Sequence, residues 1–345
     1  MHTEPSFEQI SSPENLLAAW QEFLRGKRSK PDVSEFLLHL MDNVLQLHRD
    51  LSAMAYVHGG YHAFNISDPK PRSIHKATVR DRLLHHAIHR VLYPFFDRKF
   101  IGDSFSCRVD KGTHRAMNRF RSFAYKVSQN NTRTCWVLKC DIRKFFASVD
   151  QDILQTILAK HLKDDQLLVL LGEVIESFYS TAPGKGLPLG NLTSQLLVNI
   201  YMNEFDQFTK HRLKAKQYVR YADDFAIFSE DRQWLESLIP RIAVFLHEKL
   251  SLTLHPKKVS IETVASGVDF LGWVHFFDHR VLRTSSKRRI LKRISDNPSQ
   301  ETTSSYLGLL SHGNAHQLVE EVYAGLVDSK KHLLLYEPDS GMVER

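Results

Sequence analysis

The feature that most constrains this chain is a pair of adjacent aspartates, Asp223 and Asp224, set between two short apolar runs. Residues 218–221 precede the pair and residues 225–228 follow it, and both runs consist mainly of aromatic and aliphatic side chains. Such runs around a short polar break predict a β-hairpin whose tight turn carries both carboxylates. Two like charges at one turn repel each other, and hard oxygen ligands suit a divalent cation such as Mg²⁺. A solvated Asp-Asp turn is the alternative, so the metal interpretation requires acidic partners elsewhere in the chain.

The overall composition is that of a soluble globular protein with a basic surface. The chain has 345 residues, of which 42% are hydrophobic and 25% charged, which is typical of ordinary folded domains and enough for roughly two of them. The net charge of +7 favours a polyanionic partner, with nucleic acid first. The three cysteines lack metal-binding spacing, and no apolar run reaches membrane-spanning length. We therefore expect a reduced, cytoplasmic compartment and no membrane association.

The segment 1–60 predicts an N-terminal helical extension. Ser12 followed by Pro13 gives a helix cap and a proline at the first helical position. Asp32, with Glu35 three positions later, predicts the cap of a second helix, whose apolar positions from 33 to 51 keep a 3.6-residue period. Two packed scaffold helices are the expected structure.

Residues 61–90 combine an irregular segment with a basic, histidine-rich helix. Prolines and polar residues in 61–72 predict a loop or an irregular pair of strands. Between Lys70 and Arg90 only Asp81 is acidic, so we interpret the stretch as a positive surface for phosphates. His85 and His89 stand four positions apart, as metal ligands on a helix can, but no third ligand accompanies them. A solvated helix face is the remaining alternative.

A third carboxylate follows a second predicted strand. Residues 136–141 are mainly apolar and end in Asp141, far ahead of Asp223 in the sequence. Asp150 then caps a helix that is expected over 151–162. Three carboxylates could hold two divalent cations about 4 Å apart, aligning a 3′-hydroxyl with an incoming α-phosphate and neutralising the departing pyrophosphate.

Three further segments fit a nucleic-acid substrate. Residues 105–114 set cations, a glycine and a threonine around a turn before a helix, where backbone N–H groups can hold a phosphate. Residues 185–195 form a glycine- and proline-rich loop that allows a substrate close to the backbone. Residues 283–293, a predicted helix capped by Ser285 or Ser286, contain six cations and no acid, which suits a duplex backbone. A solvated basic face is the alternative for that helix.

Taken in this order, the motifs resemble those of the reverse transcriptases, over a stretch from about Asn15 to His316. The resemblance is closest to the reverse transcriptases of diversity-generating retroelements, which are bacterial, archaeal or phage-encoded. The matching motifs are the Tyr-x-Asp-Asp box at 221–224, the strand-end aspartate box at 141–146, the finger motifs at 68–74 and 81–87, the block at 104–114 and the palm block Phe270-Leu271-Gly272-Trp273.

The loop at 187–195 distinguishes the classes within that family. In group II intron and retroviral relatives a glutamine precedes the glycine of this loop, whereas Leu189 precedes Gly190 here and Ser194-Gln195 follow. This Leu-Gly-x-x-x-Ser-Gln form resembles the diversity-generating class, whose members misincorporate opposite template adenines. Loss of a hydrogen-bonding side chain beside the nascent base pair is our hypothesis for the lowered base discrimination.

The resemblance implies roles for the acidic site. Asp141, Asp223 and Asp224 correspond to the metal-binding catalytic acids, and the carbonyl of Ile142 adds a ligand. The implied cofactor is a pair of Mg²⁺ ions, with Mn²⁺ as a substitute. Lys258 corresponds to the lysine that assists pyrophosphate departure, although Lys257 is adjacent and the assignment between the two stays open.

The resemblance also implies two sets of substrate contacts. Phe146 corresponds to the bulky residue that excludes a ribose 2′-hydroxyl. For the triphosphate, the cations are Arg72 and Lys76, with Lys70 and Arg82 as the open alternative. The full implied dNTP set is Arg72, Lys76, Phe146, Leu189, Gly190 and Gln195. The implied nucleic-acid contacts are Arg108, Lys111, Tyr221, Arg283, Lys287, Arg288 and Lys292.

The expected fold class is α+β, a right-hand polymerase with fingers, an antiparallel palm sheet with helices, and a small helical thumb. The expected domains are the N-terminal extension at 1–60, fingers at 61–135, a palm at 136–282 with a finger insertion near 160–190, and the thumb and helical tail at 283–345. The implied partners are template RNA, a cDNA–primer duplex, dNTPs and a small, basic, helical accessory protein. The alternatives are an antiphage-defence or group II intron-like reverse transcriptase and, in a different class, a catalytically inactive RNA-binding scaffold.

Overall fold

A computed structural model describes residues 4–67, 71–296 and 299–323 of the chain. Its N-terminal part contains four helices, and the Ser12 hydroxyl caps the second by accepting a hydrogen bond from the Asn15 N–H at 3.3 Å. That cap and the proline at the first helical position confirm the predicted helix start. The four helices are α1 Phe7–Ser11, α2 Pro13–Phe23, α3 Pro31–Leu38 and α4 Leu40–Ser52.

The predicted single helix over 33–51 is wrong in one respect, because His39 divides it. His39 has φ −120°, which lies outside helical geometry and separates α3 from α4. Asp32 does not cap a helix either, since α3 begins after Lys30 without a side-chain cap. The Asp32 carboxylate instead lies 2.6 Å from both Lys76 and Arg82. A carboxylate held by two cations is unavailable to a helix terminus.

A β-hairpin and two long helices follow the N-terminal helices. The predicted irregular strand pair is a regular antiparallel hairpin, with Tyr61 opposite Ala77 and Ile66 opposite Arg72. Its strands are β1 Tyr61–Ile66 and β2 Arg72–Ala77, and the next helices are α5 Val79–Asp97 and α6 Thr113–Val127.

A four-stranded antiparallel sheet forms the centre of the molecule. The strands are β3 Trp136–Asp141, β4 Tyr218–Tyr221, β5 Asp224–Ser229 and β6 Ser260–Thr263; the helices around them are α7 Phe145–Ser148, α8 Gln151–His161, α9 Asp165–Glu176, α10 Leu192–Gln207 and α11 Arg232–Leu250. The spatial order of the strands is β4-β5-β3-β6, and side chains alternate between two packed faces. Phe225 and Ile227 of β5 join the core formed with α10 and α11, whereas Ala226 and Phe228 join Phe120 of α6.

The palm block 270–273 is a hairpin turn and not the single strand that its apolar composition predicts. Leu271 and Gly272 have φ values of 53° and 86°, a left-handed pair that reverses the chain. Phe270 and Trp273 therefore face each other across the turn. The three strands of this second sheet are β7 Val268–Phe270, β8 Trp273–His275 and β9 Arg280–Leu282.

The C-terminal helices have a small core of their own. Ile290, Ile294, Leu310, Leu318 and Val322 pack together there, whereas the N-terminal helices share one core with α5 and the central sheet. The basic helix begins at Thr284, so the serines expected to cap it lie in its first turn; the two helices are α12 Thr284–Asp296 and α13 Gln300–Leu310.

Helical backbone resumes at 316–323, and the remainder of the expected helical tail lies outside the described residues. Within the three described ranges, every helix is too short or too polar to span a bilayer.

Candidate active site

The Asp-Asp pair lies where β4 turns into β5, as the apolar flanks predict. Tyr221 pairs with Asp224 across the hairpin, so Ala222 and Asp223 form a two-residue turn. Ala222 has a positive φ of 55°, which a tight hairpin turn requires of one central residue. Only Asp223 occupies the turn itself, since Asp224 is the first residue of β5. The expectation that both carboxylates sit in the turn is therefore half right.

The third acid arrives from the neighbouring strand. Asp141, at the end of β3, is the direct cross-strand partner of Asp224. The Ile142 N–H donates a hydrogen bond to the carbonyl oxygen of Asp223 at 3.2 Å. The structure therefore brings Asp141, Ile142, Asp223 and Asp224 together at one end of the central sheet, although the two pairs lie far apart in the sequence.

The three carboxylates repel one another in a partly desolvated setting. Burial raises the pKa of Asp224 to about 7, and the charges of Asp141 and Asp223 contribute to the rise. Burial, and then the charge of Asp141, also raise the pKa of Asp223. Because both effects disfavour the ionised form, full ionisation here requires positive charge nearby.

The residues present fit a divalent cation. The Oδ1 atom of Asp224 is buried and has no hydrogen-bond partner among the described residues, so no other group of the described protein uses its lone pairs. Within the described ranges, no three His, Cys, Asp or Glu side chains already stand at metal-ligand spacing. Lys258 Nζ instead lies 2.9 Å from Asp141 Oδ2. Carboxylate oxygens, one of them unpaired, are the donors that Mg²⁺ and Mn²⁺ prefer.

The geometry distinguishes Lys258 from Lys257. The Lys258 ammonium contacts Asp141 and also lowers the pKa of Asp223 against the effect of burial. The Lys257 side chain is exposed and makes no hydrogen bond or ion pair in the described part of the chain, although its N–H contacts His255. Lys258 is therefore the lysine that lies at the acidic site.

The glycine-rich loop packs against the hairpin of β1 and β2. The His75 N–H donates to the Leu189 carbonyl at 3.0 Å, and the Asn191 side chain donates to the His75 carbonyl at 2.9 Å. Gly190 has φ 107°, and a Cβ there would meet Ile74 Cγ2 at 2.7 Å. Gln195 is partly buried in the first turn of α10. The loop is thus fixed to β2 on one side and to α10 on the other.

The candidate triphosphate cations differ in how they are held. Arg72 is exposed, and its charge reaches Asp223, where it lowers the carboxyl pKa against burial. Lys76 and Arg82 both pair with Asp32, so neither is free in this state. Lys70 lies outside the described residues. Arg72 is therefore the candidate cation that faces the acids.

Phe146, the residue expected to exclude a ribose 2′-hydroxyl, is partly buried. Its carbonyl accepts a hydrogen bond from the Leu187 N–H at 2.9 Å.

Arg108 holds its own loop together, which corrects its prediction as a nucleic-acid contact. Its guanidinium donates to the Asp97 carboxylate at 2.7 Å and to the carbonyls of Ile101, Ser104 and Asp97, and only 5% of the side chain is exposed. A cation with four internal hydrogen bonds has little left for a phosphate. Lys111 remains partly exposed but donates to the Gly102 carbonyl at 2.8 Å.

The remaining predicted contacts fall into paired and exposed groups. The Tyr221 hydroxyl accepts a hydrogen bond from Thr113 at 3.2 Å. Arg283, directly before the basic helix, pairs with Asp269, and Lys287 Nζ on the helix lies 2.8 Å from Glu321. Arg288 and Lys292 are exposed, and among the described residues no ion pair holds either of them. These two are therefore among the cations that α12 offers to a partner.

The histidine-rich helix α5 is not the open positive surface that its composition predicts. His85 is buried, and its Nε2 lies 3.2 Å from His58 Nε2. Arg80 pairs with Asp50, and Arg90 pairs with Glu22. The acids that neutralise this helix come from the N-terminal helices, so a local count of charges could not reveal them.

The sequence does not predict one ion pair that is buried behind the hairpin. The Arg220 guanidinium and the Asp206 carboxylate are both fully buried, with 0% of either side chain exposed, and Nη2 lies 2.6 Å from Oδ2. The available signal was the arginine itself, because a charge within an otherwise apolar strand requires a buried partner. Its partner on α10 carries no motif that would identify it.

Comparison with known proteins shows a match to one protein family and to several relatives. Residues 67–275, more than half of the chain, match the family described as reverse transcriptase (RNA-dependent DNA polymerase). Protein YkfC of Escherichia coli K12 is 25% identical over 273 residues, covering 68% of this chain and 69% of YkfC. The group II intron-encoded protein LtrA of Lactococcus lactis is 23% identical over 290 residues, which cover 64% of this chain. The matched region is 46% of LtrA, so the chain spans about half the length of that relative.

A solved structure shows the same fold. The telomerase of Candida albicans, in complex with a fragment of telomeric RNA, has a TM-score of 0.51 at 11% identity. The match covers 80% of this chain and 55% of the telomerase chain. The expected α+β class and right-hand polymerase architecture are confirmed by this likeness.

Proposed function

The chain belongs to the reverse transcriptase (RNA-dependent DNA polymerase) family, and on that premise we propose that it copies an RNA template by transferring dNMP units to a primer 3′-hydroxyl. The observation that carries the proposal is the convergence of Asp141, Asp223 and Asp224 at one end of the sheet. Three carboxylates with an unpaired buried oxygen suit two divalent cations, for which we propose Mg²⁺. The intact acidic site also favours an active enzyme over an RNA-binding scaffold.

Each residue around the acidic site has a separate role in the proposed reaction. The three aspartates and the Ile142 carbonyl would hold the cations, which when bound would supply Lewis-acid stabilisation of the reacting phosphate. Lys258, held 2.9 Å from Asp141, is placed to protonate the departing pyrophosphate as a general acid. Arg72, whose field reaches Asp223, neutralises the incoming triphosphate. Phe146 closes the site against a ribose 2′-hydroxyl.

The surrounding regions follow the same assignment. We assign 61–135 to the fingers, 136–282 to the palm with an insertion near 160–190, and 283–345 to the thumb, with 1–60 as an N-terminal extension. The exposed Arg288 and Lys292 of α12 would contact the phosphates of the primer–template duplex. The duplex is then read through its backbone and its A-form-like shape.

Primer extension tests the proposed reaction. Wild-type protein with Mg²⁺, a short RNA template and a DNA primer should extend the primer with dNTPs, and Asp223→Ala should abolish extension. Arg241→Ala, on the exposed side of α11, is a matched control that should keep wild-type activity. Equal extension by wild type and Asp223→Ala would reject the proposed site.

For the biological role, we propose error-prone cDNA synthesis in a diversity-generating retroelement. Leu189 supports this role, because its backbone is fixed to β2 while its side chain cannot donate a hydrogen bond to a base pair. Without that hydrogen bond, the difference in transition-state free energy between correct and incorrect base pairs becomes smaller. A small, basic accessory protein and a structured template RNA are the proposed partners.

The sequence of the cDNA product tests this role. Copying an adenine-containing RNA should give errors concentrated opposite adenine, and Leu189→Gln should lower that frequency. Errors spread evenly over the four template bases would instead favour a group II intron-like enzyme, the second candidate, which the match to LtrA supports. An unchanged adenine error rate in Leu189→Gln would reject the role of this side chain.

A further inference from the structure

Six cations form a surface along one side of the central sheet, outside the site described above. Three lie on α6 at positions 115, 119 and 126, which helical spacing aligns with Ser122 in one exposed stripe. The other three lie at alternate positions beyond α10, where Leu213 and Ala215 between them are buried. Arg212 ends a short π-helical turn, Phe208–Arg212, and Lys214 and Lys216 lie in the loop after it. We call this set the palm-edge surface: Arg115, Arg119, Lys126, Arg212, Lys214 and Lys216.

A shared carboxylate joins the two halves of this surface. Asp103 accepts hydrogen bonds from Arg119 at 2.7 Å and from Lys210 at 3.1 Å. Lys210 also donates to the carbonyl of Lys216 at 2.8 Å. Arg119 and Lys210 both lie over the ring of Phe123. The α6 stripe and the loop are thus parts of one continuous face.

The face carries an excess of positive charge that the protein itself does not neutralise. Asp103 already serves two cations, and residues 111–128 and 207–217 contain no Asp or Glu. Among the residues that the structure describes, the side chains of Lys126, Arg212, Lys214 and Lys216 make no hydrogen bond or ion pair, and all four are exposed. Unpaired cations clustered on one face create a field that attracts a polyanion.

The position of α6 relates the surface to the reaction site. The helix begins beside the β4–β5 hairpin, which we call the catalytic hairpin, where the Thr113 hydroxyl donates to the Tyr221 hydroxyl. Its 15 residues extend about 22 Å away from that hairpin. Its opposite flank faces β8 and β9, because Asn118 accepts from Arg280 and Arg121 donates to the Asp278 carbonyl. The palm-edge surface therefore lies on the side of α6 turned away from those strands.

We propose that the palm-edge surface binds the phosphate backbone of RNA that flanks the copied segment. This inference rests on the proposed function, since an enzyme that copies part of a longer RNA must accommodate the uncopied remainder. An RNA strand that leaves the β4–β5 hairpin along α6 would contact these cations in succession. Phosphate contacts of this kind bind RNA without recognising its sequence.

The composition of the face favours RNA over an acidic protein. Protein interfaces bury an apolar core rich in aromatic residues. Beside the cations this face offers Ser122, the half-exposed ring of Tyr125 and the ring of Phe123, which is already covered by Arg119 and Lys210, and a single open ring does not form such a core. A polar, uniformly basic surface is typical of nucleic-acid binding.

The test compares two triple variants of the full chain that lose the same charge. The first is Arg212→Gln, Lys214→Gln and Lys216→Gln. The control is Lys160→Gln, Arg241→Gln and Lys249→Gln, all exposed on α8 and α11, which pack against the other face of the sheet. The measurements are affinity for a structured RNA that extends beyond the template segment, the salt dependence of that affinity, and extension of a short RNA template with a DNA primer.

We expect the first variant to bind the long RNA at least tenfold more weakly than the control, and the slope of log K against log salt to fall by about 2, as three lost single-strand phosphate contacts require. Extension of the short substrate should stay within about twofold of wild type, as expected for exposed substitutions away from the site. Equal RNA affinity of the two triple variants, or a weaker affinity with an unchanged salt slope, would overturn the proposal. Failure of wild type to extend the short substrate would reject the proposed function instead, and the binding comparison would still decide this inference.

Discussion

The guanidinium of Arg220 donates a hydrogen bond from Nη1 to the carbonyl oxygen of Ala222 at 3.1 Å. Ala222 is the residue of positive φ in the catalytic hairpin, so the arginine supports the strained part of the turn from inside the protein. Asp206 of α10 fixes the same guanidinium through bonds of 2.8 and 2.6 Å. A buried ion pair thus connects α10, which carries the glycine-rich loop at its start, to the turn that holds Asp223.

The first prediction concerns the stability of this pair. Asp206→Asn should lower the free energy of unfolding by about 3–5 kcal/mol, because Arg220 would keep its charge in a site without solvent. The measurement is a urea titration. Glu236→Gln is the control, since it breaks an exposed pair with Arg232 on the surface of α11 and should cost less than about 0.5 kcal/mol. Equal losses in the two variants would contradict the argument.

The second prediction separates stability from activity at the same place. Combining Asp206→Leu with Arg220→Met removes both charges, so the double variant should be more stable than Asp206→Asn. Its primer extension should nevertheless remain low, because the Ala222 carbonyl has lost its donor and the turn is free to shift. Urea midpoints and extension rates measured on the same preparations would check this. Recovery of activity together with stability would assign the pair a purely structural role.

The third prediction distinguishes the two adjacent lysines. Lys258→Ala should lower the extension rate at saturating dNTP by about a hundredfold, as loss of a general acid does. Lys257→Ala should stay within about twofold of wild type, as exposed substitutions outside a site usually do. Single-turnover extension measures both. A larger effect at Lys257 would move the assignment by one residue.

The fourth prediction uses two glycines that share a left-handed backbone but differ in surroundings. Gly190 and Gly184 have φ values of 107° and 75°, yet a Cβ would meet Ile74 only at Gly190 and finds open space at Gly184. Both alanine variants incur backbone strain of about 1–3 kcal/mol, because an L side chain disfavours a positive φ. Only Gly190→Ala should also displace the loop from β2, reducing extension roughly tenfold. Matching dNTP titrations of the two variants test this, and similar losses would show that strain alone matters.

The sequence predicts those parts of the site whose signals are local. The apolar runs on both sides of the Asp-Asp pair and before Asp141 correctly predict three strands, because side chains alternate within a single element. Their antiparallel pairing then set Asp141 opposite Asp224. The turn inside the palm block at 270–273 has no such local signal, because the residue type of Leu271 gives no reason to expect its positive φ of 53°.

Partners that are distant in sequence explain the other differences. From the sequence, Arg108 is interpreted as a free cation. In the structure, however, it donates hydrogen bonds to the Asp97 carboxylate and to three carbonyls. The sequence likewise predicts that the cations of α5 form a phosphate-binding surface. In the structure, Asp32, Asp50 and Glu22 form ion pairs with them. Charge counted along a segment therefore overestimates the positive surface, because the neutralising acids come from another part of the chain.

The last prediction follows from the buried histidine pair. A carbonyl can only accept, so the contact of 2.6 Å between His58 Nδ1 and the Gly59 carbonyl assigns the proton of His58 to Nδ1. His85 Nε2 must then donate to His58 Nε2, which leaves His85 Nδ1 as a buried nitrogen without a partner. Protonation of His85 would create a buried N–H with no acceptor.

Burial accordingly lowers the pKa of His85 to about 3, with the His58 contact adding to the effect and Asp81 opposing it. The unfolded chain binds this proton near pH 6.5 and the folded chain only near pH 3, so stability should fall as the pH drops below about 6.5. His85→Gln should reduce that dependence by up to about 1.4 kcal/mol per pH unit, whereas His62→Gln, at an exposed position of β1, should leave it unchanged. Urea titrations between neutral and mildly acidic pH measure the slopes. An identical slope in wild type and His85→Gln would mean that this histidine does not bind the proton.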